Sequence, residues 1–156
     1  LRDRPVGLSH VHTGADLAVF LPEEKIVASG DLIVHPVPLV GSTSYPLDYG
    51  ATLEKLLALD AKIFIPGHGP VMRDSGYIKS MIGLLNSIKQ QAEASATRGE
   101  TLEQMRKNVD LNEFLKLFAG DSQHKALVFR NYVTMPATAA AHRQLEERAK
   151  TTGIEK

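Results

Sequence analysis

The chain has 156 residues, of which 43% are hydrophobic and 23% charged, which is the size and composition of one globular domain. Its 18 lysines and arginines balance 18 aspartates and glutamates, so no basic excess indicates nucleic-acid binding. The absence of cysteine excludes disulfides and thiolate metal ligands, and no apolar run approaches the ~18 residues of a membrane span. The sequence therefore predicts neither a nucleic-acid partner nor a membrane partner, and it indicates no particular compartment.

Two apolar runs near the N-terminus predict a β-hairpin. Residues 16–21 and 25–29 are nearly continuous apolar segments joined by a charged turn. Because both runs are almost entirely apolar, we expect both faces of the hairpin to be buried. Gly30 and Asp31 end the second strand, and residues 32–46 have the proline-rich composition of a loop.

Histidines occur in two further segments, one on either side of this hairpin. Residues 6–13 alternate, and in a strand His10 and His12 would point to one face. Residues 63–70 read IFIPGHGP, which predicts a short buried strand followed by a turn that presents His68. An imidazole on a tight turn at the end of a strand suits metal binding or acid–base chemistry.

The rest of the sequence has helical periodicity. The predicted helices cover residues 48–61, 74–99, a short segment from Thr101, residues 110–118, and residues 122–150 with a kink or break at Pro136. The charges from Arg143 to Lys150 are typical of a solvated helix face. We expect an α/β domain in which a strand-rich part, residues 1–73, shares one core with a helical extension, residues 74–156.

Three polar residues stand at the ends of the predicted strands, namely His12, Asp31 and His68. Residues just past strands that end on a common sheet edge meet in space, which is how α/β folds assemble their sites. Two imidazoles and a carboxylate suit zinc, and equally iron or manganese. A plain turn role for these residues stays open as the alternative. The remaining histidines, His35, His124 and His142, are predicted to lie on solvated surfaces or at helix caps.

The order of these segments resembles the second half of the metallo-β-lactamase superfamily, most closely its glyoxalase-like hydrolase branch. The resemblance rests on HTGADLAVFLP from His12, KIVASGDL from Lys25 and IPGHGP from Ile65. It implies an αββα sandwich, a mixed sheet with covering helices, and one or two metal ions, commonly zinc. It also implies that His12 binds the first metal, that Asp31 bridges both metals and that His68 binds the second.

One motif of that family, His-x-His-x-Asp-His from the first half of the fold, is absent from the sequence. His10 and His12 match only its start. The resemblance therefore implies a C-terminal half with about two ligands per metal, fewer than a stable zinc site needs. Since the sequence begins at Leu1 rather than at a methionine, we expect a segment upstream. A sheet without its facing sheet would expose an apolar face, so we expect association with the missing N-terminal half or self-association.

Three hypotheses about function follow. The first is a truncated or half-domain metal-dependent hydrolase, which when complete acts on an ester, thioester or amide of a small-molecule substrate and which is weak or inactive as this chain alone. The second is a non-catalytic half-domain that self-associates as a structural or binding protein. The third is an unrelated α/β module with structural histidines that binds a small molecule at the strand ends.

Overall fold

The structure, a computed structural model, describes residues 4–9, 11–13, 15–151 and 153. The strands are β1 (Arg4–Ser9), β2 (Ala15–Leu21), β3 (Ile26–Val34) and β4 (Ile63–His68). The helices are α1 (Pro46–Leu57), α2 (Gly76–Thr97), α3 (Leu102–Asn108), α4 (Asn112–Ala119), α5 (Gln123–Phe129) and α6 (Met135–Thr151), with a π-helical turn, Arg130–Thr134, between the last two. The predicted mixed α/β fold class is confirmed.

The four strands form one mixed sheet in the order β1-β2-β3-β4. The first three strands are antiparallel neighbours, and β4 is parallel to β3. This confirms the predicted hairpin, in which Val19 of β2 pairs with Ala28 of β3. The prediction that both of its faces are buried is wrong, because Ala18 and Val27 belong to the hydrophobic core while Leu17 and Val19 are exposed.

The exposed side of the sheet is apolar across three strands. Val19, Ala28 and Ile65 are direct neighbours across β2, β3 and β4, so their side chains lie on one face of the sheet. Leu17, two residues before Val19, shares this face. Leu17, Val19 and Ile65 are 60%, 36% and 40% exposed. We call the surface formed by Leu17, Val19, Ala28 and Ile65 the bare face.

Strand β3 is longer than the sequence predicts. It continues through Asp31 to Val34 instead of ending at Gly30. Leu32 and Ile33 are buried, which favours continuation of the strand, and the pairing with β4 shifts register on both sides of Gly30. Asp31 therefore lies within an irregular part of β3, and not beyond the end of the strand.

The helical part packs on the strand-rich part, and buried residues from both belong to one hydrophobic cluster. The predicted domain boundary after residue 73 stays a prediction. The interpretation of residues 143–150 as a solvated face is wrong for two arginines: Arg143 donates to the carbonyls of Ser42 and Ser44, and Arg148 pairs with Asp48 at 2.6 Å. Within the described ranges, no helix is long and apolar enough to cross a membrane.

Pro136 does not break the last helix. The chain instead forms a π-helical turn, in which the N–H of Met135 donates to the carbonyl of Arg130. Proline has no N–H to offer the carbonyl four residues earlier, which is that of Tyr132. This carbonyl accepts the N–H of Val40 instead, at 2.9 Å, and so ties the helix to the loop after β3.

Candidate metal centre

Two of the three predicted ligands face each other at one edge of the sheet. Nε2 of His68, the last residue of β4, lies 3.4 Å from Oδ1 of Asp31 in β3. The two strands are parallel, so the residues toward their carboxyl ends lie at the same edge. The His68 side chain is 68% exposed and that of Asp31 is 41% exposed, so both can be reached from solvent.

The backbone of His68 is hydrogen-bonded to the loop that follows β3. The N–H of His35 donates to the carbonyl of His68 at 3.1 Å, and the ring of His35 packs edge-on against Tyr77. Burial, and then the charge of Lys125, lower the pKa of His35. His35 is thus half-buried against Tyr77, and it is not the solvated surface histidine that the sequence predicts. The Tyr77 hydroxyl donates to the carbonyl of Val34, which anchors α2 to the end of β3.

A buried tyrosine supports the irregular part of β3. The Tyr49 side chain is fully buried, and its hydroxyl donates to the carbonyl of Leu32 at 2.8 Å and lies 3.4 Å from that of Asp31. Burial raises the pKa of Tyr49, and the charges of Asp16 and Asp31 raise it further. Through these contacts with the β3 carbonyls, Tyr49 links β3 to α1.

The third predicted ligand, His12, lies in the turn between β1 and β2 and not in a strand. Its Nδ1 is 3.8 Å from Oδ1 of Asp16. Oδ2 of Asp16 accepts the N–H of Thr13 at 2.9 Å, so this aspartate closes the turn that carries His12. His10 lies outside the described residues.

The donor atoms present are suited to a metal but too few to hold one. In the part of the chain that the structure describes, no three His, Cys, Asp or Glu side chains are grouped as a metal site. The carboxylate of Asp31 and the imidazole of His68 are donor types that zinc accepts, yet a stable zinc site needs three or four ligands. These residues alone do not fit a zinc ion, and the metal role of His12, Asp31 and His68 stays a prediction.

Comparison with known families identifies the strand-rich part of the chain. Residues 2–68 match the family model described as the metallo-beta-lactamase superfamily. This segment is part of a metallo-beta-lactamase superfamily domain. It contains all four strands, α1 and the three predicted ligands, and it ends at His68. The match argues against the hypothesis of an unrelated module for this segment, and the metal role of its histidines stays a prediction.

Solved metallo-beta-lactamases are similar to about half of the chain. The crystal structure of DIM-1 metallo-beta-lactamase is 24% identical, with 51% of this chain and 39% of that chain covered and a TM-score of 0.45. A structure of VMB-1 at pH 5.5 is 27% identical, with 51% and 38% covered and a TM-score of 0.44. DIM-1 exposed to ceftazidime is 25% identical, with the same coverage and TM-score as VMB-1. The alignments thus cover less than two fifths of these metallo-beta-lactamases.

Sequence reasoning missed two residues that shape the site in this superfamily segment. Asp16 closes the turn of His12, and a Thr-Gly-Ala-Asp sequence after a histidine is a recognisable turn signal. Tyr49 is four residues before Leu53 and seven before Leu56 in α1, so helical spacing places it on the buried face. That spacing could have identified Tyr49 as buried, but not the carbonyls that its hydroxyl contacts.

Proposed function

We propose that this chain is part of a metal-dependent hydrolase and that Asp31 and His68, together with His12, supply some of the metal ligands. The observation that carries the proposal is the 3.4 Å approach of His68 Nε2 to Asp31 Oδ1 inside the segment that matches the superfamily. Zinc is the metal proposed first, with iron or manganese as alternatives. The reaction proposed is hydrolysis of an ester, thioester or amide in a small-molecule substrate.

The incomplete ligand set limits what this chain does alone. The backbone of both residues is held by neighbours: the carbonyl of His68 accepts the N–H of His35, and the Tyr49 hydroxyl lies 3.4 Å from the carbonyl of Asp31. Two donors bind zinc weakly, and further ligands must come from groups outside the described residues. We therefore expect weak or no hydrolysis by this chain alone.

Zinc titration of the purified chain by isothermal calorimetry tests the ligand assignment. We expect weak binding that His68→Ala and Asp31→Asn each reduce at least about tenfold, since even residues that only support a ligand affect affinity by that factor. The matched control is His124→Ala, which removes an exposed histidine of α5 and should leave zinc binding unchanged. No zinc bound at saturating concentration, or equal losses in all three variants, would overturn the assignment.

The bare face supports a second candidate function, a non-catalytic half-domain that self-associates as a structural or binding protein. Apolar side chains that lie together on three neighbouring strands, and are exposed on β2 and β4, indicate a surface that another protein surface covers. The partner proposed is a second copy of this chain or the missing N-terminal half. Either would remove Leu17, Val19 and Ile65 from water.

Light scattering on a sizing column separates these possibilities. We expect the purified chain to form a dimer that Leu17→Lys converts to monomer. Leu117→Lys is the matched control, because Leu117 on α4 is 59% exposed, as Leu17 is 60% exposed, yet lies outside the bare face. A monomer at every concentration would exclude self-association and leave the missing half as the partner. Association without zinc binding would favour the non-catalytic function.

A further inference from the structure

A cleft of about 350 Å³ opens in the helical part of the chain, between the C-terminal end of α2 and the helices α3 and α6. This volume is at the lower end of the range of small-molecule sites. None of its lining residues belongs to the candidate metal centre, and none lies in the segment that matches the superfamily. The cleft is thus a feature of the helical extension itself.

The interior of the cleft is apolar. Met105 is fully buried at the cleft, and Leu145 and Ala96 contribute apolar surface from α6 and α2. Met105 belongs to the hydrophobic core there, so the apolar surface open to a ligand comes from Leu145 and Ala96. The cleft therefore favours the apolar part of a ligand.

Glu100 forms a rigid part of the rim. Its carboxylate accepts hydrogen bonds from the Ser95 hydroxyl at 2.6 Å, from Arg98 at 2.8 Å and from Asn108 at 2.9 Å. These bonds and the charge of Arg98 hold the pKa of Glu100 at about 2, so this carboxylate stays ionised. Because Arg98 neutralises it, Glu100 shapes the rim more than it attracts a ligand.

Glu146 is the carboxylate that a ligand can reach. It is exposed on α6, and its Oε1 lies 3.7 Å from Nδ1 of His142, one helical turn earlier. Arg98 neutralises Glu100, and no lysine or arginine is among the described residues that line the cleft, so Glu146 sets the charge of the rim. The rim is thus complementary to a positive charge.

We propose that this cleft binds a small organic amine. The ammonium group pairs with Glu146 beside His142, and the apolar body of the amine covers Ala96 and Leu145. An alcohol of the same length gains only the apolar contact, and a carboxylate of the same length is repelled by the rim. The proposal is independent of the proposed hydrolase function.

Titration of the isotope-labelled chain with n-hexylamine, n-hexanol and n-hexanoate, followed by NMR, tests the proposal. We expect shifts at the cleft residues, with hexylamine binding about fivefold more tightly than hexanol and hexanoate more weakly than either. Glu146→Gln should weaken hexylamine binding about fivefold without affecting hexanol. Glu147→Gln, which removes the next carboxylate of the same helix, is the matched control and should change neither.

A second variant tests the location of the apolar body. Ala96→Leu places a larger side chain at the cleft from an exposed helix position, so the fold should persist while binding of hexylamine and hexanol is lost. The proposal is overturned if hexylamine does not bind, if hexanoate binds as tightly as hexylamine, or if Glu147→Gln weakens binding as much as Glu146→Gln.

Discussion

The backbone of Gly67 lies against Asp31 so closely that a Cβ at position 67 would overlap Oδ1 of the aspartate. The same Cβ would lie 2.7 Å from the carbonyl carbon of Gly30. Residue 67 of β4 therefore has to be glycine for the strand to approach the irregular part of β3. This approach is what brings the next residue, His68, beside Asp31.

Gly67→Ala should disturb both the fold and the site. We expect the free energy of unfolding to fall by about 1–3 kcal/mol, because the added methyl group forces Asp31 or the backbone of β3 to move. Zinc binding should weaken in the same variant. Urea unfolding gives the first quantity and calorimetry the second.

Gly41→Ala is the matched control for that variant, because a Cβ at position 41 would meet no atom within 4 Å. We expect its free energy of unfolding to stay within about 0.5 kcal/mol of the wild type. Equal effects of the two substitutions would show that the close approach to Asp31 is not what makes glycine necessary at position 67.

Tyr49→Phe should destabilise the protein although it removes only one oxygen atom. The carbonyl of Leu32 would lose the buried hydroxyl that donates to it, and a buried acceptor without a partner costs about 1–3 kcal/mol. Urea unfolding measures this loss. Tyr132→Phe, at an exposed tyrosine, is the control and should have almost no effect. If both variants unfold at the wild-type urea concentration, Tyr49 does not stabilise β3 through its hydroxyl.

Local signals in the sequence predicted local structure well. Thr101 and Gln104 form the predicted capping box, since both partners lie within one helical turn. The loop composition of residues 32–46 was a poorer guide, because β3 continues to Val34. That continuation depends on pairing of Val34 with His68, far along the sequence, which no local pattern contains.

The candidate site was also only partly predictable from the sequence. His68 lies near Asp31, as the rule that strand ends share an edge predicts, although β3 continues past Asp31 to Val34. The role of Arg143 was not predictable from its own helix, since its charge pattern with Glu147 is also that of a solvated helix face. Its actual acceptors, the carbonyls of Ser42 and Ser44, are about a hundred residues away in sequence.

The hydrogen bonds of Glu100 predict a specific loss of stability in acid. Arg98, then Ser95, lower its pKa from the ordinary 4.5 to about 2 in the folded protein. The unfolded chain therefore binds the proton more tightly, and the stabilisation is complete above pH 4.5 and is lost as the pH falls toward 2. Glu100→Gln should be less stable than wild type near pH 7, and the difference should narrow toward pH 3.

Urea unfolding of both proteins between pH 7 and pH 3 checks this dependence. Glu103→Gln, at an exposed glutamate of the neighbouring helix α3, is the control. Its difference from wild type should stay small and constant over the same range. A constant difference for Glu100→Gln as well would contradict the assignment of the shift to this carboxylate.

Gln144 joins α6 to the start of α1. Its side-chain oxygen accepts the N–H of Leu47 at 3.0 Å, and its amide group donates to the carboxylate of Asp48. The first N–H groups of a helix have no acceptor within the helix, and this buried oxygen serves as the acceptor for one of them. Gln144→Met keeps the length of the side chain and removes both bonds. We expect the free energy of unfolding to fall by about 1–3 kcal/mol and the Leu47 amide to exchange its hydrogen faster.

Gln90→Met is the control for the change from glutamine to methionine itself, because Gln90 is exposed on α2. We expect no more than about 0.5 kcal/mol of change there. Hydrogen exchange followed by NMR reads the Leu47 amide directly and does not depend on the global unfolding measurement. Wild-type exchange at Leu47 in the Gln144→Met protein would mean that another group accepts this N–H and that the oxygen of Gln144 does not join α6 to α1.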